Sequence, residues 1–190
     1  MGKEQKTIIG ISGSKGSFSE EAAEQYCYDH SLDYEVEYLI SAENVLKALD
    51  EGRTDRAIFP IENSNGGLVY EAVQAMSRYV FNIEKIFEID IKHCLLVRPG
   101  ITSSKVNRIV SHQQAIKQCR MYLKRRWGEV ELEEYSDTAE AAKDLEKGKI
   151  SDTCAVIAPR ICADIYGLDI LEEGIQDLKF NFTSFVVATK

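Results

Sequence analysis

Short apolar runs alternate with amphipathic segments through the first half of the chain. That rhythm predicts strand, helix, strand, helix, strand, helix. Residues 7–11, Thr-Ile-Ile-Gly-Ile, read as a buried strand that runs into Ser12-Gly13-Ser14-Lys15-Gly16-Ser17-Phe18-Ser19. Ser17 with Glu20 has capping-box spacing, and Ser19 is an alternative cap, for a helix reaching about Tyr28. Residues 34–39 alternate Tyr, Val and Tyr with acidic residues, a half-buried strand pattern. The next helix opens at Ser41, carries Val45, Leu46, Ala48 and Leu49 at helical spacing, and closes at Gly52. The apolar run Ala57-Ile58-Phe59 stops at Pro60 and gives way to Glu62, Asn63, Ser64, Asn65, Gly66 and Gly67. Helix formers resume at Leu68 and continue to about Tyr79. The polar cluster is therefore expected between a strand end and a helix start, where open α/β sheets bind ligands. Taken by itself it reads first as a turn capped by Asn63 or Ser64.

Residues 83–97 break the rhythm with one long apolar-rich stretch that ends at Pro99-Gly100, as expected of a strand travelling between two lobes. The alternation then returns. Residues 108–110 form a strand, Ser111 caps a helix to about Trp127, and residues 130–135 form another strand. Asp137 with Glu140 opens a helix that ends at Gly148. Residues 154–158 are a strand, Pro159 suits a first helical position, and Gly167 ends that helix. A short strand at 168–171 and a final one at 182–188 complete the chain. This alternation predicts mainly parallel sheets with helices on their faces.

Composition narrows the function classes. At 190 residues with 44% hydrophobic content the chain can bury a core as one domain or two small lobes. A net charge of −8 argues against a broad nucleic-acid surface. No apolar run approaches a membrane span, and residues 1–6 lack the apolar core and cleavage site of a signal peptide, so a cytoplasmic protein is expected. The five cysteines are odd in number and lack paired metal-ligand spacing, which predicts buried thiols and no metal site.

The glycine-rich start near Ser17 and the Asn63-Ser64 cluster both read as places where unpaired helix N–H groups could meet an anion. Neither matches a dinucleotide or P-loop pattern. Ser111, Gln114 and Gln118 fall on one helical face, which meets solvent or lines a cleft. His112 is a weaker acid or base candidate, since no Asp or Cys partner stands at meaningful spacing. Thr183 and Ser184 open the last strand, and an unaided threonine is a poor acid.

These places, in this order, resemble the prephenate dehydratase family over residues 7–189. The family pattern Gly-Pro-x-Gly-Thr-Phe-Ser is met by residues 13–19 with Ala22-Ala23 following, and Pro-Ile-Glu-Asn-Ser by Pro60-Ile61-Glu62-Asn63-Ser64 with Gly67. Ser111-His112 with Gln118-Cys119, Thr138 to Ala142, Tyr166-Gly167-Leu168 and Ile175-Gln176-Asp177 complete it. The resemblance implies an α/β, two-lobed fold like the type II periplasmic binding proteins, with a central cleft. One lobe would be built by residues 1–75 and 175–190 and the other by 76–174. It implies that prephenate loses water and CO2 to give phenylpyruvate, with no cofactor; a homodimer is expected, and charge and composition predict no nucleic-acid or membrane partner. Thr183, Asn63, Gln118 and Glu62 would carry catalysis. Ser17, Phe18, Ser64, Gly67, Ser111, His112, Ser184 and Phe185 would bind substrate.

The resemblance has departures. The family's Thr-Arg-Phe reads Thr183-Ser184-Phe185 here. A lost charged hydrogen bond is worth about 1.5–3 kcal/mol, or roughly ten- to a hundredfold in binding or rate. Lys15 is the nearest substitute charge, although a lysine in an exposed loop is ordinarily just solvated. Family members usually continue into a phenylalanine-binding ACT domain, so feedback inhibition within these residues is not expected. A weakened dehydratase, an arogenate-using or decarboxylase-like relative, and a non-catalytic binding module all remain open at this point.

Overall fold

The structure, a computed structural model, describes residues 6–128 and 130–190; the stretch read above for targeting signals lies, for residues 1–5, outside the described residues. In chain order the elements are β1 (Thr7–Ile11), α1 (Phe18–Asp29), β2 (Tyr34–Tyr38), α2 (Ala42–Asp50), β3 (Arg56–Asn63), β4 (Gly67–Leu68), α3 (Tyr70–Met76) and β5 (Asn82–Asp90). They continue with β6 (His93–Val97), β7 (Arg108–His112), α4 (Gln113–Gln118), α5 (Arg120–Trp127) and β8 (Glu131–Tyr135). The last are α6 (Thr138–Glu146), β9 (Cys154–Pro159), α7 (Ile161–Tyr166), β10 (Asp169–Glu173) and β11 (Phe182–Thr189). No helix among the described residues is long and apolar enough to cross a membrane.

The chain divides into two compact units. One runs to Asp90 and resumes at Phe182–Lys190, and the other is Ile91–Asn181. The division falls later than the expected 76 and 174, because β5 pairs along its length with β11 and so belongs with the first unit. The stretch 83–97, expected as one strand, is two, β5 and β6, in different sheets.

The first unit's six-stranded sheet has the order β2-β1-β3-β11-β5, with β4 beside β3. The strands of the alternating segment pair in parallel, β2 with β1 and β1 with β3. Both strands at the chain crossings pair antiparallel, β11 with β3 and β5 with β11, so the sheet is mixed. The second unit's five-stranded sheet, β10-β6-β9-β7-β8, repeats this: β7 is parallel to β8 and β9, while β6 and β10 run antiparallel. Each sheet is flanked by helices. In the first unit α2 and α3 cover Phe59, Val186 and Ala188, whereas Phe185 stacks near Phe87 and Tyr26 of α1. In the second, α6 and α7 cover Leu96 and Val156, and α4 and α5 cover Leu95, Ile109 and Ile157. A fully buried side chain such as Phe59 contributes about 3–5 kcal/mol relative to alanine.

Several starts match the sequence pattern. Ser17, Ser41 and Asp137 cap α1, α2 and α6 through their side chains. Others differ. Pro60 does not end its strand but sits inside β3, where the register with β11 shifts between Ser184 and Phe185. Such an irregularity accommodates a residue without an N–H. Pro159 likewise closes β9 instead of opening a helix. The helix expected from Ser111 to Trp127 is two, broken at Cys119. All five cysteines are buried and free, and burial pushes the Cys27 thiol up to about 11.

Candidate functional site

The Pro-Ile-Glu-Asn-Ser stretch folds as a hairpin and not as a helix start. Asn63 pairs with Gly67 across β3 and β4, and α3 begins only at Tyr70 with no side-chain cap. Anion capture by helix N–H groups is thereby ruled out at Asn63-Ser64. The turn is built by Asn63 itself, whose Oδ1 accepts from the backbone N of Asn65 at 2.9 Å and Gly66 at 2.8 Å. Gly67 takes a positive φ of 74°, which glycine adopts without strain.

The other end of the Asn63 carboxamide reaches the last strand. Nδ2 donates to Thr183 Oγ1 at 2.9 Å and to the Phe182 carbonyl at 3.2 Å. Ser64 prolongs the contact: its N donates to the Phe182 carbonyl at 2.8 Å, and its Oγ accepts from Phe182 N at 3.0 Å. Asn63, Ser64 and Thr183 are thus brought together, with Thr183 only 8% exposed. A hydroxyl that accepts a hydrogen bond keeps its own proton for donation.

The Ser184 side chain does not share a face with that of Thr183. Successive side chains of a strand point to opposite faces, and Ser184 Oγ donates to Glu88 Oε1 at 3.2 Å on β5. Its partner on β3 is Glu62, which is exposed. The position where the family carries arginine therefore lies between two carboxylates. Phe185 is 1% exposed and serves the core, its ring 6.2 Å from that of Phe87.

At the first glycine loop the start of α1 is already filled. Ser17 Oγ accepts from Glu20 N at 3.4 Å, and the Glu20 carboxylate accepts from Gly16 N at 2.5 Å and from the Tyr38 hydroxyl. A carboxylate of the chain occupies the place proposed above for an anion. Gly13 is required here, since a Cβ would collide with the Ser17 side chain. Phe18 is half-buried and Lys15 exposed.

In the second unit Ser111 lies in β7, fully buried, and donates to the Ile157 carbonyl at 2.6 Å. It holds two strands together and does not share a helical face with Gln118. The cap of α4 is His112, exposed, whose Nδ1 accepts from Gln114 N at 3.2 Å. Gln118 ends α4 half-buried, and its Oε1 meets Asn181 Nδ2 at 3.0 Å and His93 Nε2 at 2.7 Å. Burial lowers the His93 pKa below its ordinary 6.5, against an opposing effect of the Gln118 hydrogen bond. Asp177 caps the start of α5, its carboxylate accepting from Met121 N and Tyr122 N, each at 2.7 Å.

Sequence reasoning missed His93 and Asn181. The available signal was a histidine within an apolar strand and an asparagine between phenylalanines, both needing partners once buried. Among the described residues no group of three or more His, Cys, Asp or Glu is arranged to hold a metal ion.

Comparison with known proteins follows the same stretch. The family model for prephenate dehydratase matches residues 9–190. Arogenate dehydratase 1 of Petunia hybrida is 33% identical over 182 residues, covering 96% of this chain and 42% of the relative. The bifunctional chorismate mutase/prephenate dehydratase of Buchnera aphidicola is 30% identical over 180 residues, covering 94% of this chain and 46% of the relative. The chain thus spans less than half the length of these curated relatives. A prephenate dehydratase from Arthrobacter aurescens, solved in complex with L-Phe, superposes with a TM-score of 0.87 at 26% identity, over 97% of this chain and 60% of that one. The match runs through the hairpin that holds Asn63 and the strand that holds Thr183, and on that extent the chain belongs to the prephenate dehydratase family.

Proposed function

We propose that this chain acts as a prephenate dehydratase, converting prephenate to phenylpyruvate, water and CO2. Thr183 gives its hydroxyl proton to the departing ring hydroxyl, whose C–O bond breaks as water forms. The C–C pair of the ring carboxylate enters the ring as CO2 leaves, and aromatisation drives both events. The observation that carries this reading is the hydrogen bond from Asn63 Nδ2 to Thr183 Oγ1. With the hydroxyl oxygen as acceptor, its proton is the one available to transfer. The same N–H stabilises negative charge left on that oxygen until water returns a proton. A reducing, cytoplasmic setting fits five free thiols.

Arogenate is the second substrate to consider, because relatives at 33% identity include arogenate dehydratases. The test is incubation with prephenate and, separately, arogenate, following phenylpyruvate by ultraviolet absorbance and phenylalanine by chromatography. Product formed faster than without protein, and lost in Thr183→Ala, supports the proposal. CO2 release without phenylpyruvate would point to a decarboxylase, and ligand binding without turnover to a binding module.

A further inference from the structure

In an antiparallel ladder, facing residues alternate between pairs that exchange two backbone hydrogen bonds and pairs that exchange none, and side chains stand closer in the second kind. Asn63 faces Thr183 at the end of β3. One step further on, Ser64 N donates to the Phe182 carbonyl at 2.8 Å. Ser64 and Phe182 are therefore a hydrogen-bonded pair, and Asn63 with Thr183 is a pair of the closer kind. The return bond of such a pair would run from Phe182 N to the Ser64 carbonyl. Here it runs to the Ser64 side chain, Oγ, at 3.0 Å. The chain turns away at Asn65 and Gly66, held by Asn63 Oδ1, and the serine hydroxyl takes the role that a regular ladder gives the carbonyl. The Phe182 carbonyl also accepts from Asn63 Nδ2 at 3.2 Å. Both peptide groups flanking Phe182 are thereby tied to the hairpin, and the second of them sets the backbone from which the Thr183 side chain leaves.

We propose that Ser64 is a positioning residue for Thr183 and not a contact of the substrate: its hydroxyl closes the ladder at Phe182 and so fixes the rotamer in which Thr183 Oγ1 meets Asn63 Nδ2. A β-branched side chain has few χ1 wells, and the local backbone selects among them. Without the hydroxyl, Phe182 N loses this acceptor, the start of β11 loosens, and Thr183 samples wells in which Oγ1 leaves the carboxamide. That the positioned hydroxyl is an acid toward prephenate rests on the function proposed above.

Ser64→Ala removes the hydroxyl and keeps the backbone bond, while Ser64→Thr returns the hydroxyl. Ser64 is exposed, so neither change disturbs a core. In chains labelled with ¹⁵N and ¹³C, three-bond couplings that report χ1 of Thr183 should show one rotamer in wild type and Ser64→Thr, and averaging in Ser64→Ala. Amide exchange at Phe182 should be faster in the alanine variant. These measurements need no catalysis, and a single unaltered Thr183 rotamer in folded Ser64→Ala overturns the proposal. In the prephenate assay Ser64→Ala should lose about threefold to tenfold in kcat, the scale of one hydrogen bond, with KM within about twofold. Ser64→Thr should recover most of that loss. Because Ser64 acts through Thr183, the same alanine change should alter kcat by less than about twofold in a Thr183→Ala background. A loss carried by KM, or one that persists in full without the Thr183 hydroxyl, overturns positioning in favour of a substrate contact. Wild-type protein inert toward both prephenate and arogenate overturns the proposed reaction instead, and the couplings still decide whether Ser64 holds Thr183.

Discussion

Asn63 and Thr183 are 120 residues apart in the chain and 2.9 Å apart in space, joined by an amide N–H directed at a hydroxyl oxygen. They face each other because β11 returns to pair antiparallel with β3, placing Thr183 opposite Asn63 in register. A threonine hydroxyl is a weak acid alone, and the amide supplies the help that local sequence does not.

Removing the hydroxyl isolates its role. Thr183→Ala should lose about 10²-fold or more in kcat on prephenate, the lower range for a positioned general acid, while Thr183→Ser retains most activity. Steady-state rates with both variants check this, and an alanine variant near wild-type speed would remove Thr183 from the chemistry.

Asn63 has a structural end and a site end, and two variants separate them. Asn63→Asp keeps an oxygen for the N–H groups of Asn65 and Gly66 but loses the donor to Thr183. It should hold its Tm within a few degrees while kcat falls about tenfold or more, one local hydrogen bond of about 1–3 kcal/mol. Asn63→Ala should lower both Tm and kcat. Thermal scans beside rate measurements distinguish the pair.

Ser184→Arg tests the family's missing arginine. Because Ser184 stands between Glu62 and Glu88 in register on the neighbouring strands, the new guanidinium should pair with carboxylates. Cross-strand pairs of opposite charge are worth roughly 0.2–1 kcal/mol each, so a rise in Tm is expected with kcat within about twofold of wild type. A tenfold gain in kcat would show that the arginine reaches substrate.

His93 predicts a pH dependence of stability. Its folded pKa lies below the unfolded value near 6.5, chiefly through burial. Below the unfolded pKa the unfolded chain binds a proton that the folded chain does not. Stability is therefore fully present above about pH 6.5, falls as pH drops through the window down to the folded pKa, and levels off beneath it. One proton changes the unfolding free energy by at most about 1.4 kcal/mol per pH unit. Denaturant unfolding from pH 8 to 5 should show this component in wild type and not in His93→Gln.

The sequence by itself determined whatever depends on near neighbours. Periodicities of 2 and 3.6 located β1, β2, β7, β8 and β9, and side-chain caps at Ser17, Ser41 and Asp137 marked three helix starts. The ordered motifs pointed to the family and its α/β fold. Only the tertiary structure decided the rest. Glycine-rich polar residues after a strand suit a helix start or a hairpin equally well, and pairing with β11 selected the hairpin at Asn63. Ser111 has the composition of a helix cap, yet β9 beside it claims its hydroxyl for the Ile157 carbonyl. Ser184 adjoins Thr183 in sequence, but strand alternation turns it toward Glu88. His93 and Asn181 meet Gln118 only once the crossing segments are in position. Each of these outcomes is set by strand register and by which donor meets which acceptor across long loops, and no local pattern encodes that choice.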